Sequence, residues 1–184
     1  MKRIKKIFGA FLLASGAATF GACGVIPHAY QGNFVDDATG AKLELKSGEG
    51  TLTTANGRVV PAKADRLTFE KLQKGEPGIY AQVNEDSKNL LEVYWIAPRP
   101  ATRQEAGGLI WLETEALYTL MNLKEKDEIG NFEVSHCENG TVLLDPSTKR
   151  WQIGCPAGVL RYQFRRVQKP ATISITARNT ESSS

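Results

Sequence analysis

The sequence predicts an all-β fold, an antiparallel barrel or sandwich of about nine to eleven short strands. Two observations carry that expectation. Turn signals recur at roughly ten-residue intervals: Asp37-Ala38-Thr39-Gly40, Ser47-Gly48-Glu49-Gly50, Asn56-Gly57, Lys74-Gly75-Glu76-Pro77-Gly78, Asn84-Glu85-Asp86-Ser87 and Asn139-Gly140. Between them lie short segments rich in Val, Leu, Thr and aromatic residues, several of which alternate apolar with polar.

Taken in order, residues 41–46 put Leu43 and Leu45 on one face and Lys42, Glu44 and Lys46 on the other. The run 90–97 (LLEVYWIA) is apolar on both faces, as a doubly covered strand would be. Residues 97–108 form the longest break but carry no linker between domains. In 112–123 the period lies closer to 3.6 than to two, which predicts a short helix over 113–122, with a strand as the competing reading. A meander follows: a strand ending near Cys137, a turn at Asn139-Gly140, strands over 141–144 and 150–154, and a turn at Asp145-Pro146-Ser147 between them. In 159–167, Leu160, Tyr162 and Phe164 alternate with Arg161, Gln163 and Arg165. A single domain over 30–177 is expected, followed by a small polar tail at 178–184.

The first 22 residues have a basic start, an apolar stretch from Ile7 to about Phe20 and then small residues, the layout of a secretory signal. Phe20-Gly21-Ala22-Cys23 resembles the lipobox of bacterial lipoproteins, with Phe20 where Leu is usual. The resemblance covers about the first 24 residues. It implies cleavage before Cys23, acylation of Cys23 and a short tether over 23–29. More than one acyl chain gives stable anchoring, at about 0.8 kcal/mol per buried methylene. By the same resemblance Gly24, where inner-membrane retention would favour Asp, implies the outer membrane of a Gram-negative host; the domain is expected on its periplasmic side.

The whole chain of 184 residues carries a net charge of +3, from 23 basic and 20 acidic residues. Removing Lys2, Arg3, Lys5 and Lys6 with the signal leaves 19 basic against 20 acidic. The positive excess that would suggest a nucleic-acid partner disappears. With 41% hydrophobic and 23% charged residues, intrinsic disorder is excluded.

With Cys23 assigned to lipid, Cys137 and Cys155 remain as a pair in an oxidising compartment. Two strands flanking a third stand about 9.6 Å apart, whereas a disulfide needs Cα atoms within about 7 Å. A bond therefore requires both cysteines at one end of the meander, beyond the regular ladder. The rival readings are two free thiols, or a metal site with His136, for which the spacing of two Cys and one His is unsuited.

Catalysis has little to build on. There are two histidines, His28 and His136, and no nucleophile elbow, phosphate loop, zinc-protease motif or other cofactor fingerprint. Asp36-Asp37 reads as a turn start, and Asn139-Gly140-Thr141 as a hairpin turn rather than a glycan acceptor. The basic stripe Arg161, Arg165, Arg166 and Lys169 reads as a solvated strand face, with anionic lipid or glycan phosphate as the competing reading. Tyr80, Tyr94, Trp95, Trp111 and Tyr118 are the candidate ligand or partner surface. Adjacent Tyr94 and Trp95 must point to opposite faces of their strand. Three functions follow: the first two are a lipid-anchored, non-catalytic module binding an envelope protein or polymer, and a lipocalin-like carrier of a small apolar ligand. An envelope hydrolase with remote paired carboxylates is the third.

Overall fold

The computed structural model describes residues 26–60 and 66–168. The expectations for the signal segment, Cys23, Lys169 and the tail at 178–184 fall outside these. The described chain forms one antiparallel sheet of eleven strands curled into a half-barrel. The strands are β1 (Gly32–Asp36), β2 (Lys42–Leu45), β3 (Gly50–Thr53), β4 (Val59–Val60), β5 (Gly78–Val83), β6 (Leu90–Pro98), β7 (Gln104–Ala106), β8 (Leu109–Asn122), β9 (Asn131–Asp145), β10 (Arg150–Gly154) and β11 (Leu160–Arg166). Their order across the sheet is β4-β3-β2-β1-β11-β9-β8-β6-β5. Strand β7 continues the line of β6 along β8, and β10 continues the line of β11 along β9. Beyond β4, Arg66 forms an isolated parallel bridge to Ile79 of the edge strand β5.

The expected alternations are present. Leu43 and Leu45 of β2 are buried, as are Tyr162 and Phe164 of β11, whereas Leu160 at the start of β11, expected with them, is 51% exposed. Strand β6 is covered on both faces. Leu91, Val93 and Trp95 enter the core inside the half-barrel with Phe34, Leu52 and Val134. Tyr94 and Ile96 enter a second core on the outer face with Leu72, Leu112, Val142 and Ile153. Leu72 comes from the one described α-helix, α1 (Phe69–Lys74). The side chain of Thr68 accepts a bond from Lys71 N–H at its start, and Gly75, with φ of 77°, ends it.

Two local expectations are corrected. Residues 113–122 are not helical: they lie within β8, paired along their length with β6 and β9. Both faces of β8 are buried, so no polar face marks a period of two. Ile110, Leu112 and Ala116 face the outer core, whereas Leu117 and Met121 face the inner one. Asn139-Gly140 is not a turn but part of β9, at a bulge. Thr114 pairs Gly140 and Ala116 pairs Cys137, so two residues of β9 stand opposite Glu115. The extra residue exchanges the faces of β9, and Cys137, Val142 and Leu144 all reach the outer core. A Cβ on Gly140 would come within 2.8 Å of the Cys137 sulfur and 3.1 Å of the Gly154 carbonyl.

The bulge also explains the disulfide. Cys137 and Cys155 are bonded, with Cα atoms 5.9 Å apart. Strand β10 pairs directly with β9, Gly154 opposite Thr141, so Cys155 lies one strand away from Cys137. No intervening strand has to be bypassed.

The N-terminal stretch enters the core at once. Ile26, Ala29 and Tyr30 are buried, and Ile26 N–H donates to the Ser47 carbonyl at 3.1 Å. Residues expected to serve as tether up to 29 therefore belong to the packed structure. Arg166 holds them there, donating to the carbonyls of Ala29, Gln31 and Ile129 at 2.7–2.8 Å while its guanidinium stacks over Phe34.

Candidate functional site

Three of the five singled-out aromatics meet on the outer face. Even-numbered residues of β5, β6 and β8 share that face, so Tyr80, Tyr94 and Tyr118 stand in register across three strands. Tyr94 packs on Tyr118 with ring centroids 4.9 Å apart. Trp151 of β10 joins them edge-on, 5.2 Å from Tyr80 and 6.2 Å from Tyr94. Tyr94 is buried, while Tyr80, Tyr118 and Trp151 are half-buried, so the rings form a continuous platform rather than a cage around a gap. Sequence reasoning missed Trp151, because the pairing that brings it close runs through β9 and leaves no local signal.

Glu92 lies on the same face two residues before Tyr94, paired with Gln82 and Leu120, and is held from three sides. Its carboxylate accepts from Gln82 at 2.7 Å, from Asn84 at 2.6 Å and from the Tyr94 hydroxyl at 3.2 Å. Burial, reinforced by that negative charge, pushes the hydroxyl pKa of Tyr80, Tyr94 and Tyr118 upward, to about 12 for Tyr118. The site is thus a fixed carboxylate bordered by amides and neutral phenols. It offers flat apolar faces beside hydrogen-bonding groups held in place.

Trp95 and Trp111 are not brought to this platform. Trp95 points to the opposite face, as adjacency to Tyr94 requires, and is 3% exposed in the inner core. Trp111, half-buried, lies at the far end of β8, where it pairs Gln104 of β7. The cavity at the centre of the half-barrel, bordered by Trp95, Leu45, Val93, Leu117 and Met121, holds about 20 Å³. That is room for about one water molecule. The Trp95 indole nitrogen is buried there without a hydrogen-bond partner.

A buried polar cluster was also missed. Glu115, opposite the bulge, accepts both terminal nitrogens of Arg58 at 3.1 and 2.7 Å and lies 2.8 Å from His136 Nε2. His136 is 1% exposed, with its Nδ1 3.4 Å from the Tyr162 hydroxyl. Arg58 also reaches Glu138 at 2.7 Å, and Arg99 donates to the Glu138 carbonyl. Both ring nitrogens of His136 are occupied and closed to solvent, so the cluster is suited to hold the bulge rather than to move protons to a substrate. Among the described residues no group of three or more His, Cys, Asp or Glu could hold a metal ion.

The basic stripe is dispersed. Arg161 pairs with Glu133 and Arg165 with Asp37, while Arg166 turns inward to the carbonyls that it binds. The Asp36 turn is as expected, its carboxylate accepting from Ala38 and Thr39 N–H. Among the described residues no helix is long and apolar enough to cross a membrane. Comparison with protein-family models, curated proteins and solved structures gave no match to this chain.

Proposed function

We propose that this chain is a lipid-anchored, non-catalytic binding domain of the bacterial envelope. On this reading it is acylated on Cys23, faces the periplasm from the outer membrane and engages an envelope polymer of sugar rings through its outer platform. One observation carries the proposal: the half-barrel interior is filled, while Tyr80, Tyr118 and Trp151 stand part-exposed around the fixed carboxylate of Glu92. Sugar rings present flat C–H faces that stack on aromatics and hydroxyls that bond to carboxylates and amides. The platform offers both partners side by side. A small-molecule carrier needs a cavity of about 300–1,000 Å³, and about 20 Å³ at the centre does not favour that alternative.

Two measurements test the reading. Mass spectrometry of the protein from membranes of its native host is expected to show acyl chains on Cys23, and an unmodified N-terminus at Val25 overturns the anchor. Purified cell-wall sacculi are expected to pull down the full chain and to lose it on Trp151→Ala or Tyr118→Ala. Equal sedimentation of parent and variants removes the platform from the account. An apolar ligand extracted in stoichiometric amount favours the carrier instead.

A further inference from the structure

The N-terminus joins the fold too closely to the anchor for the domain to swing freely. Ile26 is 2% exposed and its N–H is bonded to the Ser47 carbonyl. Cys23 precedes it by three residues, a reach of at most about 10 Å even when fully extended. We propose that the domain rests directly on the bilayer, with one end of the half-barrel as its lipid-facing surface. This rests on the acylation of Cys23 argued above and adds what that reading lacks, an orientation.

The pairing registers define the end. Ile26 meets the 46–49 turn, Ala29 accepts from Ile129, and Asn122 N–H donates to the Tyr30 hydroxyl. Leu123 N–H in turn donates to the Asn89 carbonyl. The turns at 46–49 and 84–89, the loop at 123–130 and the end of β11 therefore gather around the entry point. Two of the large apolar side chains exposed on the molecule stand here, Leu123 at 37% and Val167 at 47%. Lys46, Lys88, Lys124 and Lys126 are exposed on the same turns, interspersed with acids in similar number. The end thus carries no excess positive charge to draw it to anionic headgroups, and the short attachment sets the contact. The opposite end is distant: β9 has 15 residues, about 50 Å of strand at about 3.3 Å each.

Full-length acylated protein, labelled with a fluorophore at an introduced cysteine, tests this on vesicles of phosphatidylethanolamine and phosphatidylglycerol carrying a headgroup quencher. Cys137 and Cys155 are bonded to each other and do not compete for label. Probes at Ser47→Cys and Lys124→Cys are expected to be quenched, a probe at Ser147→Cys is not, and one at Ala38→Cys, a single five-residue strand from the entry end, is expected to fall between them. A long Gly-Ser spacer inserted after Gly24 is expected to abolish the difference while vesicle binding persists. Equal quenching at all four sites on vesicle-bound protein overturns the orientation alone. Protein that does not bind vesicles overturns the acylation reading, and the orientation falls with it.

Discussion

The six-membered ring of Trp95 fills the space in front of Gly50 where a Cβ would stand. The contact joins β6 to β3 across the inside of the half-barrel, between strands that do not pair. Gly50→Ala is therefore expected to destabilise the domain by about 2–3 kcal/mol through overpacking. In a Trp95→Leu background the same substitution is expected to cost under about 1 kcal/mol, a coupling that a double-mutant cycle in urea reads directly. Additive costs would mean that the two residues do not meet.

Glu115 is expected to matter far more than Glu138, although both bind Arg58. Glu115 has a side chain 9% exposed and also contacts buried His136, whereas the Glu138 side chain is 44% exposed. Glu115→Ala leaves the buried His136 Nε2 without its carboxylate and Arg58 with Glu138 alone, and is expected to cost about 2–4 kcal/mol, discounted because Arg58 is itself partly exposed. Glu138→Ala is expected to cost within about 1 kcal/mol. Chemical denaturation of the two variants checks the ranking.

Alkali is expected to unfold the domain through its tyrosines. Tyr118 is raised to about 12 in the fold, and Tyr80 and Tyr94 are raised as well. An unfolded tyrosine ionises near pH 10, so between about pH 10 and 12 the unfolded state releases protons that the fold retains. The stability is complete below about pH 10 and declines as pH rises through that window. Tyrosinate absorbance is expected to rise together with loss of structure, and Tyr118→Phe is expected to reduce the slope of stability against pH.

Reduction of Cys137–Cys155 is expected to cost about 3 kcal/mol, from the 18-residue separation. Iodoacetamide under non-reducing denaturing conditions is expected to label neither thiol. Labelling of both would show that the bond does not form in the expressed protein.

Much of the fold was readable because its strands obey local rules. Residues 41–46 and 159–167 declare a buried face by alternation, and 90–97 declares two. What escaped depends on partners remote in sequence. Glu115 looked like the polar side of a helix because its charge is satisfied by Arg58, 57 residues earlier, and by His136, 21 residues later. Asn139-Gly140 carries the residues of a hairpin turn. Gly140 is needed instead because the Cys137 sulfur and the Gly154 carbonyl leave no room for a side chain. At the platform, the shared face of Tyr80, Tyr94 and Tyr118 follows from register, which no local pattern contains, and Trp151 arrives from a different hairpin.

The grip of Arg166 on Ala29, Gln31 and Ile129 has a mechanical consequence. Force applied through the preceding chain enters the described fold at Ile26 and reaches, through that guanidinium, β11, an interior strand flanked by β1 and β9. Traction that reaches β11 is thus shared between its ladders with β1 and β9, instead of falling on a peripheral strand with a single ladder. Arg166→Ala would leave the first buried residues to be stripped away at low force, a difference that single-molecule pulling from residue 23 would register as an early extension step.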